Sequence, residues 1–158
     1  MDGFWTEWTS DPENAQMLRV ALRLIVAVVL AGVLGFDREA HGHQAGLRTH
    51  MMVALGAALF TLVPVEAAAG KANLAEIVKG VAAGVGFLGA GAILKMTDQG
   101  EIKGLTTAAS IWLTAAIGFS VGAGWIGPAV TSTILSWIIL VVLRRFERRI
   151  VGKAPGKR

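Results

Sequence analysis

Five runs of about twenty mainly apolar residues, parted by short segments that carry charge or glycine, constrain this chain more than any other feature. Wound as an α-helix, a run of that length matches the roughly 30 Å hydrocarbon core of a bilayer. The runs fall at about residues 17–36, 47–65, 77–96, 105–123 and 126–143. Of 158 residues, 54% are hydrophobic and 16% charged, so a soluble domain would lack the polar surface to cover its apolar content. Four prolines and the lack of an alternating polar–apolar pattern argue for helices over a barrel. The expectation is an all-α integral membrane protein with five transmembrane helices.

Basic residues set the expected orientation. Arg144, Arg145, Arg148, Arg149, Lys153, Lys157 and Arg158 follow the last run and predict a cytoplasmic carboxyl terminus. Five spans then put the amino terminus outside, where Asp2, Glu7, Asp11 and Glu13 lie. On this count the first and third loops, with Arg38, Arg48, Lys95 and Lys103, are cytoplasmic, and Trp5, Trp8 and Trp125 fall near the outer interface. The organisation expected is a periplasmic amphipathic amino terminus at 1–16, a membrane domain at 17–143 and a basic cytoplasmic tail at 144–158. The acidic amino terminus lacks the basic region of a cleavable signal peptide. Ser10 stands where it would cap the first helix, with Pro12 in the first turn and Glu13 three residues on.

Several function classes are excluded or unsupported. Without cysteine there is no disulfide, thiolate metal site or cysteine nucleophile. No nucleophile stands at readable spacing from a base, and no phosphate loop or zinc motif is present; the chain reads as a non-enzyme with no cofactor. Basic residues concentrate in the membrane-flanking tail, which gives no face for nucleic acid. His41, His43 and His50 look like a metal cluster, but no third ligand type is fixed near them, and no metal site is assigned.

Ionisable residues at membrane depth are functional candidates. Arg23 is the deepest cation of the first run, with Arg19 one turn before it, and Lys79 stands near the start of the third run; Glu66 and Glu76 are the carboxylates available to pair with them. In the first loop, Asp37, Arg38 and Glu39 face Arg48 and Thr49 across a short connection. The reading preferred is an ion-pair network that ties the first two helices; a magnesium site on Asp37 and Glu39 is the alternative. Gly80, Gly84, Gly86, Gly89 and Gly91 make the third run the densest small-residue surface, expected to pack closely on another helix, with Gly118 and Gly122 of the fourth run as the partner face. The strings beginning Gly46-Leu47-Arg48-Thr49 and Gly104-Leu105-Thr106-Thr107 read either as a parallel two-helix repeat or as helices alike by composition.

Four ordered strings then point to a family. They are Gly35-Phe36-Asp37-Arg38-Glu39, Ala45-Gly46-Leu47-Arg48-Thr49, Gly84-Val85-Gly86-Phe87-Leu88-Gly89-Ala90-Gly91 and Gly104-Leu105-Thr106-Thr107-Ala108-Ala109-Ser110-Ile111-Trp112. Together they closely resemble the membrane domain of the MgtC/SapB family, over about residues 18–143. The resemblance implies a multi-pass protein of the bacterial inner membrane, linked to growth under magnesium limitation, to survival in host phagocytes (virulence) and, for some members, to restraint of the F-type ATP synthase. Many members carry a soluble domain after the last helix, whereas this chain is expected to end in its basic tail. In some virulence-associated members an asparagine stands at the position of Thr106. The expected role is adaptation to low magnesium or to acid and host stress, by modulating another membrane complex as a homo-oligomer. A magnesium or other cation transporter is the alternative.

Overall fold

The computed structural model describes residues 11–68, 71–94 and 103–143. They form five helices in chain order: α1 Pro12–Ala40, α2 Leu47–Ala67, α3 Leu74–Leu94, α4 Leu105–Gly122 and α5 Ile126–Ile138, which continues as a π-helical turn, Ile139–Leu143. Each of the five, α5 taken with its π turn, is long and apolar enough to cross a membrane, and the described residues contain no strand. Trp5, Trp8, Lys95, the tail 144–158 and most of the segment 1–16 lie outside the described residues.

α1 begins earlier than its apolar run suggests. Asp11, not Ser10, is the N-cap: its side chain accepts the Glu13 N–H at 3.0 Å, and Pro12 fills a first-turn position whose missing N–H costs no intrahelical bond. Ser10 lies outside the described residues. The polar stretch from Pro12 to Gln16 is therefore continuous with the apolar run, and the boundary expected at residue 16 falls inside a single helix of 29 residues. At about 1.5 Å per residue that helix is about 43 Å long, so it tilts or projects beyond the hydrocarbon.

α4 is the inner helix and packs against all four others, while α3 leans mainly on α4 and touches α2 only lightly. Small residues set the close crossings. The core joins Ala27, Ala31 and Leu34 of α1, Ala54 and Ala58 of α2, Ile117 and Val121 of α4 and Ala129 of α5. A side chain at Gly118 or Gly122 would run into the backbone of Ala54 or Ala58. These glycines thus let α4 lie directly on α2. The expectation that they face the glycines of the third run is corrected: α4 sits between α2 and α3, and its Gly118–Gly122 stripe is turned to α2. Toward α3 it offers Ala108, whose Cβ lies 3.7 Å from a Cβ placed on Gly89. Added side chains at Gly80, Gly84, Gly86 and Gly91 would meet nothing within 4 Å.

Hydroxyls inside the bundle are satisfied within their own helices. Thr61, Thr114, Thr133, Ser120 and Ser136 each donate to the carbonyl four residues before, so none of these five needs a partner across the helix interface.

Candidate functional site: a buried polar junction of three helices

The sequence breaks α1 from α2 with a short connection in which Gly42 adopts a left-handed conformation. The turn brings the last residues of α1 back over the start of α2. Glu39 Oε2 accepts the Leu47 N–H at 2.7 Å, which places a carboxylate at the positive end of α2 and satisfies one of its orphan donors. Arg38, next in line, points inward and is 2% exposed. Its Nη2 donates to Thr107 Oγ1 at 2.8 Å, so a charge that is always present is tied to the first turn of α4. Thr107 is aimed correctly because α4 starts at Gly104 with φ of 91°; there a side chain would also collide with the Ala92 carbonyl of α3.

His50 completes the junction. It is fully buried in α2. Its Nδ1 lies 2.9 Å from the Gly46 carbonyl and its Nε2 3.2 Å from Ser110 Oγ. A carbonyl only accepts, so Nδ1 carries the proton. Ser110 Oγ in turn lies 2.8 Å from the Thr107 carbonyl. A neutral His50 therefore accepts from the Ser110 hydroxyl, while a cationic one donates to it and turns that hydroxyl to Thr107. The result is a chain of polar contacts from α2 through α4 to α1. Asp37, also buried, has its Oδ1 3.4 Å from His41 Nδ1, and the same ring nitrogen donates to the Asp37 carbonyl at 2.7 Å.

A second polar cluster stands at the opposite end. Arg23 Nη1 meets Glu66 Oε1 at 3.3 Å, with both side chains a little under one-third exposed, and Gln16 Nε2 donates to Glu66 Oε2 at 3.2 Å. Arg23 also covers the turn after α4, where Gly124 has φ of 86° and a Cβ there would lie 3.2 Å from Arg23 Nη2. Glu76 is engaged by Asn73 at the start of α3. Lys79 is exposed on α3.

The other candidates sit outside these clusters. Arg48 and Thr49 are exposed on the first turn of α2, and Arg48 makes no ion pair or hydrogen bond with another described residue. Its expected place in the Asp37–Glu39 network is corrected: two positions before His50, it is turned about 160° away from the face that buries the histidine. Thr106 and Trp112 are exposed on α4. Among the described residues no three His, Asp or Glu side chains converge on a point that would hold a metal ion. His50 and Ser110 were missed by sequence reasoning. The available signal was position: His50, Ala54, Ala57, Ala58 and Thr61 repeat at helical spacing, which marks His50 as part of the buried stripe of α2 rather than of the loop.

The model of the MgtC family matches residues 24–149 of this chain. The chain is 41% identical to protein SrpB of Synechococcus elongatus over 143 residues, covering 83% of this chain and 78% of SrpB. It is 37% identical over 139 residues to YhiD of Escherichia coli K12, whose name proposes magnesium transport, covering 84% of this chain and 64% of YhiD. It is 36% identical over 128 residues to protein MgtC of Brucella abortus, covering 81% of this chain and 52% of that protein. The chain thus spans about two-thirds of YhiD and half of MgtC. No solved structure matches it.

Proposed function

The chain belongs to the MgtC family, and on that premise we propose that this multi-pass membrane protein is a non-enzymatic modulator of another membrane complex in the bacterial inner membrane. It serves adaptation to magnesium limitation or to acid and host stress, with its carboxyl terminus in the cytoplasm. The F-type ATP synthase is one candidate partner. The observation that carries this reading is that Arg23, Arg38, Glu39 and Glu66, at the two ends of the bundle, are held by partners within the protein and the space between them is packed. Arg23 pairs with Glu66, Arg38 bonds Thr107 and Glu39 caps α2. Between Arg23 and Arg38, about 22 Å along α1, the helices close on Ala27, Ala31, Leu34, Ala54, Ala58, Ile117 and Val121, all 0–1% exposed. A transporter of ions needs polar or charged groups free to line a path near mid-membrane; the polar side chains buried in this stretch, Thr61, Thr114 and Thr133, are each bonded to a carbonyl of their own helix. Of the two carboxylates considered for magnesium, Glu39 is committed to the α2 amide and Asp37 is buried beside His41.

The test is magnesium uptake into proteoliposomes beside photo-cross-linking in cells from position 87, where Phe87 stands 82% exposed on α3. Flux at the level of empty vesicles, with a discrete cross-linked membrane protein, is expected. Saturable uptake that Arg38→Ala abolishes would overturn the reading in favour of transport.

A further inference from the structure

The light contact between α2 and α3 leaves a groove of about 580 Å³, lined only by apolar side chains and glycine. Met52, Gly56 and Phe60 form its α2 wall, and Gly80, Gly84 and Leu88 stand on its α3 wall. The three α2 positions are four residues apart and make one stripe along the helix. The next position up that stripe is Arg48. Side chains on a helix lean toward its amino end, so Arg48, in the first turn of α2, reaches from the mouth of the groove toward the membrane surface. It is exposed and, as described above, holds no other described residue.

We propose that this groove binds one anionic glycerophospholipid, with an acyl chain between α2 and α3 and the headgroup phosphate at Arg48. The lining matches hydrocarbon along its whole length, and the Arg48 cation at its mouth matches a phosphate. The α3 lining runs from Ile77 to Leu88, about 16 Å, so the groove is long and narrow, averaging about 35 Å² in section, which suits a hydrocarbon chain lying along it. A partner helix or a second copy of this chain laid across its open side is an outcome that the test separates. The inference stands independently of the regulatory reading above, since a lipid site is compatible with modulation and with transport.

Native mass spectrometry of the full chain, released from mild detergent in the presence of phosphatidylglycerol or phosphatidylethanolamine, tests it. One phosphatidylglycerol per chain is expected, preferred about fivefold over phosphatidylethanolamine, as one basic residue at an anionic headgroup would give. Arg48→Gln should erase that preference and leave the two lipids equal. Gly56→Leu with Gly84→Leu should lose both lipids, since the added side chains enter open space in the groove and leave the helix contacts alone. A thermal melt in detergent checks that this double variant folds; if it does not, the headgroup preference of the folded Arg48→Gln protein decides. Equal binding of the two lipids by the unaltered protein, or an undiminished preference in Arg48→Gln, overturns the proposal. So does a dimer that the glycine substitutions convert to monomer with no change in bound lipid, which would assign the groove to a second copy.

Discussion

Removing the acceptor of the Arg38 contact should damage the protein more than removing the arginine itself. Thr107→Val keeps the volume of the side chain but deprives the buried guanidinium of Thr107 Oγ1, now at 2.8 Å. A hydrogen bond to a charged group contributes about 1.5–3 kcal/mol, and a buried donor left without its acceptor incurs its full desolvation cost. The expected loss is about 2 kcal/mol. Arg38→Met takes away charge and donors together while keeping an unbranched stem in the same space. Burying that charge was itself costly, so the two terms largely offset and the expected loss is about 1 kcal/mol. Thr107 stands in the first turn of α4, with no helical carbonyl four residues before it, so its neutral hydroxyl, left without the guanidinium, is the main remaining cost. Once Met stands at 38, Thr107→Val has nothing left to deprive. The double variant should therefore be no less stable than Thr107→Val alone, with a coupling of about 1 kcal/mol or more. Equilibrium unfolding in mixed micelles across the four proteins measures it. Strict additivity, or a Thr107→Val protein as stable as the original, would refute the claim that this contact holds the junction.

The α2–α4 crossing should be far less tolerant than α3: Gly118→Ala drives a methyl into the Ala54 backbone and should cost about 1–3 kcal/mol as overpacking, whereas Gly84→Ala enters open space and should leave the melting temperature in detergent unchanged. Glu39→Ala removes the cap from the Leu47 amide and should cost about 1 kcal/mol, read as faster amide exchange in the first turn of α2. Because the Arg23–Glu66 pair is partly exposed, Glu66→Ala should cost no more than about 1 kcal/mol after allowance for screening, and the charge swap Arg23→Glu with Glu66→Arg should recover most of it in the same melt.

The fold was legible because spanning helices announce themselves by length and apolarity, and the bilayer leaves the chain few other options. The start of α1 was legible from capping residues rather than hydropathy: Ser10, Pro12 and Glu13 marked a start well before the apolar run, and the structure moves the cap by one residue, to Asp11. Helix neighbours were less legible. Gly118 and Gly122 advertise a close contact, but no glycine states which helix it meets; that depends on how α4 is turned, and it is turned to α2. The polar junction divides the same way. Arg38 and Glu39 stood out in sequence as charges beside a membrane segment, but so did Arg48, and only the rotation of α2 separates a buried position from an exposed one two or three residues away. His50 was lost among three histidines for the same reason, although its spacing to Ala54 and Thr61 carried the information.

The two polar clusters bear on motion as well as on stability. One joins α1, α2 and α4 through Glu39, Arg38, His50, Thr107 and Ser110; the other joins α1 and α2 through Arg23, Gln16 and Glu66 beside the turn at Gly124. α1 and α2 are thus fastened at both ends with an apolar interior between the fasteners. An alternating-access cycle would rock one group of helices against another around a central site; parting α1 from α2 would break the Arg23–Glu66 pair and the Glu39 contact with the Leu47 amide, and parting α1 from α4 would break the buried Arg38–Thr107 bond. α3 leans on α4, touches α2 lightly and leaves most of its glycines without a neighbour, so it is less tightly packed into the bundle than α1, α2 or α4. A bundle so built is suited to hold α1, α2 and α4 together and to adjust α3 to what it meets in the membrane, which fits the proposed role of modulating another complex.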